Sequence, residues 1–443
     1  MIVWSVFAVG AVYVWAAAPL MAGAALLASL APSTTGASRE TRTLDALLVA
    51  SVVAAAAQLV PLPPAIRAAV SPRAKTVVSA ASLLDGDEWQ PLSVSPASTA
   101  YSIGLVLTAL VVFWTARSCC ARGLTLRLVR HVAFAGLLVA LSAIACHAVG
   151  DRSLIYGRWR PLDAGAHPFG PFVNRNHFAT WVVMACPLAA GYVAAALRRE
   201  PSPPGAAARL LAAFEWLGTT AAWVGVSGII MLLGLVASTS RSGLIALAAS
   251  LVCGAWLSRG RLTPRRGLFG LLAALVLVAL VSTLVNVHPL LARVEETLRV
   301  GLGGRPRIWH ETLRIIRDFP LTGTGLGGYQ TAMFVYQENR RALFINQAHS
   351  QYLHLFAEGG LLLSIPVTLA VVAFVRLIRE RLAHDTPSDA CLRIGAASAI
   401  VAVAVQGFWE TGLRIPANGL LLAATAAVAV HRPSCASRAS SST

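Results

Sequence analysis

Long apolar runs recur from one end of the chain to the other, separated by short polar connections. Each run has about 20 residues, which is enough to cross the hydrocarbon core of a bilayer as an α-helix. We therefore predict an all-α polytopic membrane protein, and a soluble protein with several buried helices is the minor alternative. Eleven spans are predicted, near 3–31, 44–62, 101–116, 131–149, 177–197, 219–237, 242–258, 267–287, 353–375, 392–409 and 415–430.

The first run, 3–31, is long enough to hold two short segments, which would raise the number of spans to twelve. Arginine-rich connections follow alternate spans, and short loops of this kind usually lie in the cytoplasm. With eleven spans, all of them fall on one side of the membrane together with the C-terminal tail. These connections are 117–130, 198–199, 258–267 and 376–385.

The longer connections, 63–100, 150–176 and 288–352, then lie outside the cytoplasm. The last of them is too short and too rich in Gly and Pro for an ordinary separate domain. We predict one transmembrane domain over 1–432, with 288–352 as a periplasmic loop between spans. The remaining residues, 433–443, are expected to form a disordered cytoplasmic tail.

Part of the loop 288–352 has the pattern of a short helix. In "RIWHETLRIIRDFP", Trp309, Leu313 and Ile316 follow one another at helical spacing and form a single apolar stripe. Pro320 marks its end. An amphipathic helix that lies on the outer membrane surface is the natural interpretation.

Composition sharpens the picture. The chain is 56% hydrophobic and only 12% charged, yet its formal net charge is +17, nearly all from arginine, since Lys75 is the one lysine. No soluble basic domain is visible, so nucleic acid is not an expected partner. Anionic lipid headgroups or a phosphate-bearing substrate fit better. The seven cysteines show no spacing typical of a zinc site or a disulfide framework.

Arginines also cluster in the connections expected outside, where short-loop statistics disfavour them. Arg305 and Arg307 belong to this group, and guanidinium groups bind phosphate oxygens through paired, charge-assisted hydrogen bonds. The alternative is ordinary surface charge. Arg241 lies between two apolar spans joined by few polar residues, where a charge is costly unless it faces a polar cavity or a partner. Snorkelling to the interface is the competing explanation.

His349 lies where the polar loop meets the next apolar span, in "INQAHSQYLHLFAEGG". Most single histidines near a helix end cap or pack. An unperturbed pKa of about 6.5 would nevertheless suit a general base. His354 is expected to point elsewhere on the helix. The weaker alternatives are His177, His288 and His310.

Asn174 and Asn176 open the fifth span, where they could cap its helix or bind sugar hydroxyls or phosphate. Glu410 lies in an outer turn and could pair with an arginine. A formal G-x-G-x-x-G at 323–328 follows Pro320 rather than a strand, so we reject a nucleotide site there. No cofactor and no metal site is expected.

Taken together, these segments resemble the O-antigen ligase and Wzy-type polymerase superfamily of bacterial inner-membrane glycan transferases. The resemblance spans roughly 170–420 and covers the family's order and spacing. It rests on "PFVNRNHFATWVVMACPL", "STSRSGLIAL", "GRPRIWHETLRIIRDFPLTGTGLGGYQ", "AHSQYLHLFAEGGLL" and "ETGLRIPANGLLLA".

The resemblance implies a C-type glycosyltransferase-like architecture in the bacterial inner membrane, with the site facing the periplasm. It also implies an undecaprenyl-pyrophosphate-linked glycan as donor, an acceptor hydroxyl on a glycan, lipid or protein, and no required metal. The family's catalytic histidine falls on His349, although Ser350 replaces the asparagine that usually follows it. Its pyrophosphate-binding arginines fall on Arg241 and Arg305, with Arg307 as second choice.

The remaining pocket candidates are Asn174, Asn176, Tyr352, Glu358 and Glu410, where Glu410 stands in the place of a frequent aspartate. Polymerase and ligase activity stay open, with a lean towards polymer export and its machinery. A transporter or flippase for the same lipid-linked oligosaccharide is the alternative from another class. Such a protein should show inverted repeats, and the sequence has no visible repeat.

Overall fold

A computed structural model of the chain describes residues 1–30, 39–82, 89–162, 165–198, 215–259, 261, 305–338 and 345–432. Most of these residues are helical. A short antiparallel pair of strands is formed by β1 (Pro61–Leu62) and β2 (Gln90–Pro91). The helices are α1 (Ile2–Phe7), α2 (Val14–Leu30), α3 (Arg39–Ala57), α4 (Pro64–Val70), α5 (Ala74–Ser82), α6 (Pro96–Ala121), α7 (Thr125–Val149), α8 (Arg175–Leu197), α9 (Thr220–Ala237), α10 (Arg241–Leu257), α11 (Arg305–Asp318), α12 (Tyr329–Tyr336), α13 (Gln351–Ala383), α14 (Pro387–Gln406) and α15 (Pro416–Ala429).

Six of these helices, α6, α7, α8, α9, α13 and α14, are long and apolar enough to cross a membrane. Three more, α2, α10 and α15, are apolar but shorter. The prediction of an all-α polytopic membrane protein is therefore confirmed. Helices lie in every predicted run except 267–287, which is outside the described residues, as is the tail 433–443.

The first apolar run does not form one continuous helix. Helix α1 ends at Phe7, and a single turn of 3₁₀-helix at Val9–Ala11 follows, in which Gly10 has a φ of 67°. Helix α2 then continues for 17 residues. A left-handed residue cannot continue a right-handed helix, and this is the physical reason for the break.

Helix α8 forms the centre of the bundle, and most of its residues from His177 to Ala189 are buried. It packs most extensively against α14, where two glycines meet. A Cβ atom on Gly395 would lie 2.5 Å from the Pro187 carbonyl oxygen, and one on Gly191 would lie 2.7 Å from that of Cys391. Small residues allow backbones to approach closely, which is a common way for membrane helices to associate.

The arginine-bearing connections meet at one end of the bundle. Arg198 donates to the carbonyl of Arg261, and Arg261 donates to that of Leu382. At the same end, the buried Arg393 pairs with Asp385 at 2.6 Å and 2.8 Å. The sequence places these connections on a common side, and the described contacts bring three of them together.

Helix α13 is broken at its tenth residue, Gly360. Gly360 has φ 53° and ψ −159°, far from helical values. The freed backbone amides of Leu361 and Leu362 donate to the carbonyls of Pro320 and Leu321, both at 2.9 Å. The kink thus joins the predicted span 353–375 to the polar loop before it, and it separates a short first segment from the long apolar one.

The helix predicted within the long loop is present as α11, and it ends at Asp318, two residues before Pro320. Its buried positions include Thr312 and Ile315, whereas Leu313 of the predicted stripe is 53% exposed. The helix packs against α12 and α13. Trp309 and Ile316 of the predicted stripe are half-buried, so Leu313 is the one stripe residue that is exposed.

Candidate active site

A buried carboxylate lies at the centre of the candidate site. Glu410, in the turn after α14, is 4% exposed. It accepts a hydrogen bond from Arg305 at the first position of α11 (2.6 Å). It accepts another from the side-chain amide of Asn176 in the first turn of α8 (2.7 Å). Residues that are far apart in the sequence therefore meet at one carboxylate.

Asn176 extends this contact to α10. The Ser240 hydroxyl donates to the Asn176 side-chain oxygen at 2.8 Å. Ser240 also caps α10 by accepting from the Gly243 amide, which is a preferred role for serine. The next residue, Arg241, is the first of the helix and is partly buried. Arg241 therefore directly follows a residue that is hydrogen-bonded to Asn176, which in turn donates to Glu410.

Gln406, at the end of α14, contacts two residues of this polar network. Its amide lies 3.4 Å from the Asn176 carbonyl oxygen and 3.4 Å from the Ser242 hydroxyl. The candidate site is thus built from the N-terminal ends of α8, α10 and α11 and from the C-terminal end of α14. The N-terminal ends of helices favour negative charge.

His349 lies in the segment that leads into α13. This segment is held against the turn after α14, because the Gln351 amide donates to the Gly407 carbonyl at 2.7 Å and the Thr411 hydroxyl donates to Gln347. His349 itself has a φ of 49°, which is unusual for a residue with a side chain. Its Nδ1 atom is buried and has no hydrogen-bond partner among the residues that the structure describes.

The electrostatic environment sets the charges of His349 and Glu410. Burial lowers the pKa of His349 from 6.5 to about 4, and the nearby positive charge of Arg305 acts in the same direction. The imidazole is therefore neutral at pH 7 and can accept a proton. Burial raises the pKa of Glu410 to about 7, although Arg305 and Asn176 oppose this by stabilising the carboxylate.

A small pocket opens next to these groups. Glu410, Gln351, Gln406 and Thr180 supply its polar lining. Glu410 lines this pocket and contacts Arg305, which lies near His349. A guanidinium can bind an anionic group, and a neutral imidazole can take a proton from a hydroxyl. Among the described residues, no group of three or more His, Cys, Asp or Glu side chains could hold a metal ion.

Three predicted site residues lie apart from this network. The Tyr352 hydroxyl donates to the Ala404 carbonyl at 2.7 Å, and the ring packs on Phe408. Glu358 is buried in a separate cluster, where it accepts from Arg414 at 3.1 Å. Arg307 is exposed on α11. The structure thus favours Arg305 over Arg307 as the residue that joins the cluster.

The other polar candidates have mainly structural contacts. The Asn174 side chain caps α8 by accepting a hydrogen bond from the backbone N–H of Asn176 at 2.8 Å. His177 is buried one residue beyond Asn176, and its Nδ1 has no hydrogen-bond partner in the described part of the chain. His310 is exposed. His288 lies outside the described residues.

The sequence analysis missed several residues that complete the site: Ser240, Gln347, Gln406 and Thr411. A serine directly before an arginine and a helix is a recognisable capping signal. Gln406 is a polar residue near the end of an apolar run, and such a position is also a signal for a polar site. Nothing in the local sequence points to Gln347 and Thr411.

Comparison with protein families gives a match to part of this chain. The family model Wzy_C, described as O-Antigen ligase, matches residues 226–367, about a third of the chain. Six of the nine predicted site residues lie in the matched segment, among them Arg241, Arg305 and His349, whereas Asn174, Asn176 and Glu410 lie outside it. No curated protein matches the chain.

Proposed function

We propose that this chain, a member of the O-antigen ligase and Wzy-type polymerase superfamily, transfers a glycan from an undecaprenyl-pyrophosphate-linked donor to an acceptor hydroxyl. The family match itself supports a general role in ligating or polymerising glycans on lipid-linked substrates. The observation that carries the finer proposal is the contact of Arg305 with the buried Glu410, beside the neutral imidazole of His349.

Arg305 is the proposed first ligand of the donor pyrophosphate, and Arg241 the second. Guanidinium groups match phosphate oxygens and stabilise the charge that develops on a leaving group. In the structure the Arg305 guanidinium donates a hydrogen bond to the Glu410 carboxylate. We propose that the pyrophosphate displaces this carboxylate, which then takes up a proton and keeps its hydrogen bond to Asn176.

His349 is the proposed general base. The acceptor oxygen forms a bond to the anomeric carbon of the donor sugar as the bond from that carbon to the phosphate oxygen breaks. The acceptor proton moves to the imidazole, and undecaprenyl pyrophosphate leaves with the bonding electrons. A single in-line displacement of this kind inverts the configuration at the sugar carbon. The step as written uses no metal ion.

The proposed setting is the periplasmic face of a bacterial inner membrane, where a lipid-linked donor and an acceptor can both reach the pocket. The acceptor is a glycan, a lipid or a protein, and the product of a polymerase would pass to polysaccharide export machinery. Asn174 and Asn176 start the helix that borders the pocket. Tyr352 and Glu358 brace the segment around His349 rather than line the pocket.

His349→Ala tests this function directly. A general base contributes about 10²–10⁴-fold to the rate, so transfer should fall by that factor while membrane insertion and thermal stability stay unchanged. The assay combines purified protein with a membrane extract of the deletion strain, which holds donor and acceptor, and measures released undecaprenyl pyrophosphate. Near-normal release by the variant removes His349 from the mechanism, and no release by the unaltered protein points to a transporter.

The glycan pattern of the deletion strain separates the two activities within the family. Loss of the long-chain ladder with single repeats retained indicates a polymerase. Free polymer that lacks its carrier indicates a ligase. Expression of the unaltered chain should restore the pattern, and the His349→Ala chain should not.

A further inference from the structure

The backbone at His349 is held in an unfavourable conformation. Its φ of 49° lies in the left-handed region, which is unfavourable for a residue with a Cβ atom. Such a conformation persists only where the surrounding contacts impose it. The contacts on both sides of His349 therefore decide where its imidazole points.

On the C-terminal side these contacts come from the start of α13. The Ser350 hydroxyl caps the helix by accepting from the Leu353 amide, and the Gln351 amide is bonded to Gly407. On the N-terminal side the contact is a side chain. The amide of Ala348, which is fully buried, donates to Nδ1 of His354 at 3.2 Å.

This hydrogen bond fixes the tautomer of His354. A backbone N–H can only donate, so Nδ1 must be the unprotonated acceptor and the proton is on Nε2. Nε2 lies 3.0 Å from the Glu358 carboxylate. Glu358 in turn accepts from Arg414 at 3.1 Å and from the Tyr329 amide at 3.3 Å. A buried chain of polar contacts thus runs from Arg414 to the peptide before His349.

We propose that His354 is a positioning residue, which holds the Ala348 amide so that the strained turn keeps the imidazole of His349 in place. The inference rests on the proposed role of His349 as base. His354 is 2% exposed and acts through the backbone, without contact with substrate. Its neutral tautomer is required, because protonation of Nδ1 would put a second donor against the Ala348 N–H.

Three substitutions separate the two polar contacts of His354, the hydrogen bond at Nδ1 and the close approach of Nε2 to Glu358. His354→Asn keeps an acceptor near the place of Nδ1, His354→Gln keeps a donor near the place of Nε2, and His354→Leu keeps neither. The assay is release of undecaprenyl pyrophosphate in the membrane extract of the deletion strain, titrated to give kcat and KM for the donor. Thermal unfolding in detergent reports on folding.

We expect His354→Asn to retain kcat within a few-fold of the unaltered protein. His354→Gln and His354→Leu should lower kcat by about 10–100-fold, since a small misplacement of a catalytic group can cost that much. KM for the donor should change little in all three, because Arg305 and Arg241 are untouched. A selective loss of kcat that Asn rescues is not a result that general destabilisation produces.

Equal kcat for the Asn and Gln variants, or a better Gln variant, would overturn the proposal, as would parallel losses of kcat and melting temperature across all three. If the Leu variant does not fold, the comparison of Asn with Gln decides. The proposed function fails separately, when His349→Ala retains activity. An inactive His349→Ala chain beside a fully active His354→Leu chain removes only the positioning role.

Discussion

At the scale of single residues, the most informative group is Glu410. Its carboxylate is buried, and its two hydrogen bonds come from a guanidinium and an amide on different helices. A buried carboxylate without a cation is costly and tends to take up a proton. Any ligand that draws Arg305 away therefore changes the protonation of Glu410, and this links donor binding to pH.

The pH dependence of donor binding is the first prediction. With Arg305 paired, the pKa of Glu410 is about 7, and with Arg305 on the pyrophosphate it rises further. Binding then takes up a proton, so donor affinity should fall as pH rises above about 7, by up to roughly tenfold per pH unit. Glu410→Gln cannot titrate, and its KM for the donor should stay flat from pH 6 to 9 (roughly the range in which the carboxylate changes charge). A pH-dependent KM in the Gln variant would contradict the exchange.

The second prediction concerns two neighbouring arginines on α11. Arg305→Ala should lower kcat/KM for the donor by about 10–100-fold, since a charge-assisted hydrogen bond contributes roughly 1.5–3 kcal/mol. Arg307→Ala removes the same charge from an exposed position two residues away and should be nearly neutral. Measuring both in the release assay separates a specific contact from loss of positive charge. Equal losses would mean that only the charge of the loop matters.

Sequence patterns predicted the residues that depend on local context. His349 follows a polar loop and precedes an apolar run, and Arg241 interrupts two apolar runs, so both stand out. The partners of these residues depend on tertiary contacts. The bond between Asn176 and Glu410 joins positions more than 200 residues apart, and no periodicity predicts it. The resemblance also gave Tyr352 and Glu358 as pocket candidates, and their described hydrogen bonds involve Ala404 and Arg414, partners that the local sequence does not indicate.

At the scale of elements, the tight contact of α8 with α14 positions two sides of the site. Asn176 is at the start of α8, and Gln406 and Glu410 are at or just after the end of α14. Gly191 and Gly395 allow the two helices to touch further along. The spacing of these backbones therefore sets the distance from Asn176 to the buried carboxylate.

Substitution of Gly395 is the third prediction. A Cβ atom there would lie 2.5 Å from the Pro187 carbonyl oxygen, so Gly395→Ala must separate the helices and should destabilise by about 1–3 kcal/mol, a typical cost of overpacking. Gly225→Ala in α9 is the matched control, because its nearest neighbour would be at 3.7 Å. Thermal unfolding in detergent should show a lower midpoint for Gly395→Ala alone. Equal midpoints would show that this contact is not tight.

Hydrophobic runs predicted the positions of most helices but not their breaks. An apolar run carries no information on whether one helix or two fill it. The left-handed Gly10 interrupts the first run, and Gly360 interrupts the run after His349. Both breaks depend on backbone contacts with distant segments, such as the bond from Leu361 to Pro320. The exposure of Leu313 on α11 has a similar cause, since tertiary partners bury its neighbours Glu311 and Thr312 instead.

At the scale of the whole molecule, polar groups gather at the two ends of the bundle. One end carries the contacts among Arg198, Arg261 and Leu382, and the other carries the candidate site. Short arginine-rich loops usually lie in the cytoplasm. The multi-pass architecture and this arrangement support a site that faces away from the cytoplasm.

Topology is the fourth prediction. Alkaline phosphatase fused after residue 443 should be inactive, and a fluorescent protein at the same place should fluoresce, because the tail is expected in the cytoplasm. Phosphatase fused in the connection between α7 and α8, near residue 165, should be active, since this connection is expected on the side of the site. The reverse pattern in the two fusions would contradict the proposed location of His349.

The way the site is assembled has a consequence for how the protein becomes active during synthesis. The helices emerge from the ribosome in order, and Arg305 is made about a hundred residues before Glu410. Among the described residues, Arg305 pairs with Glu410 and the His349 segment is bonded to Gly407, so neither contact exists until α14 and the turn after it have formed. Under the proposed mechanism, an unfinished polypeptide in the membrane is therefore expected to be inactive.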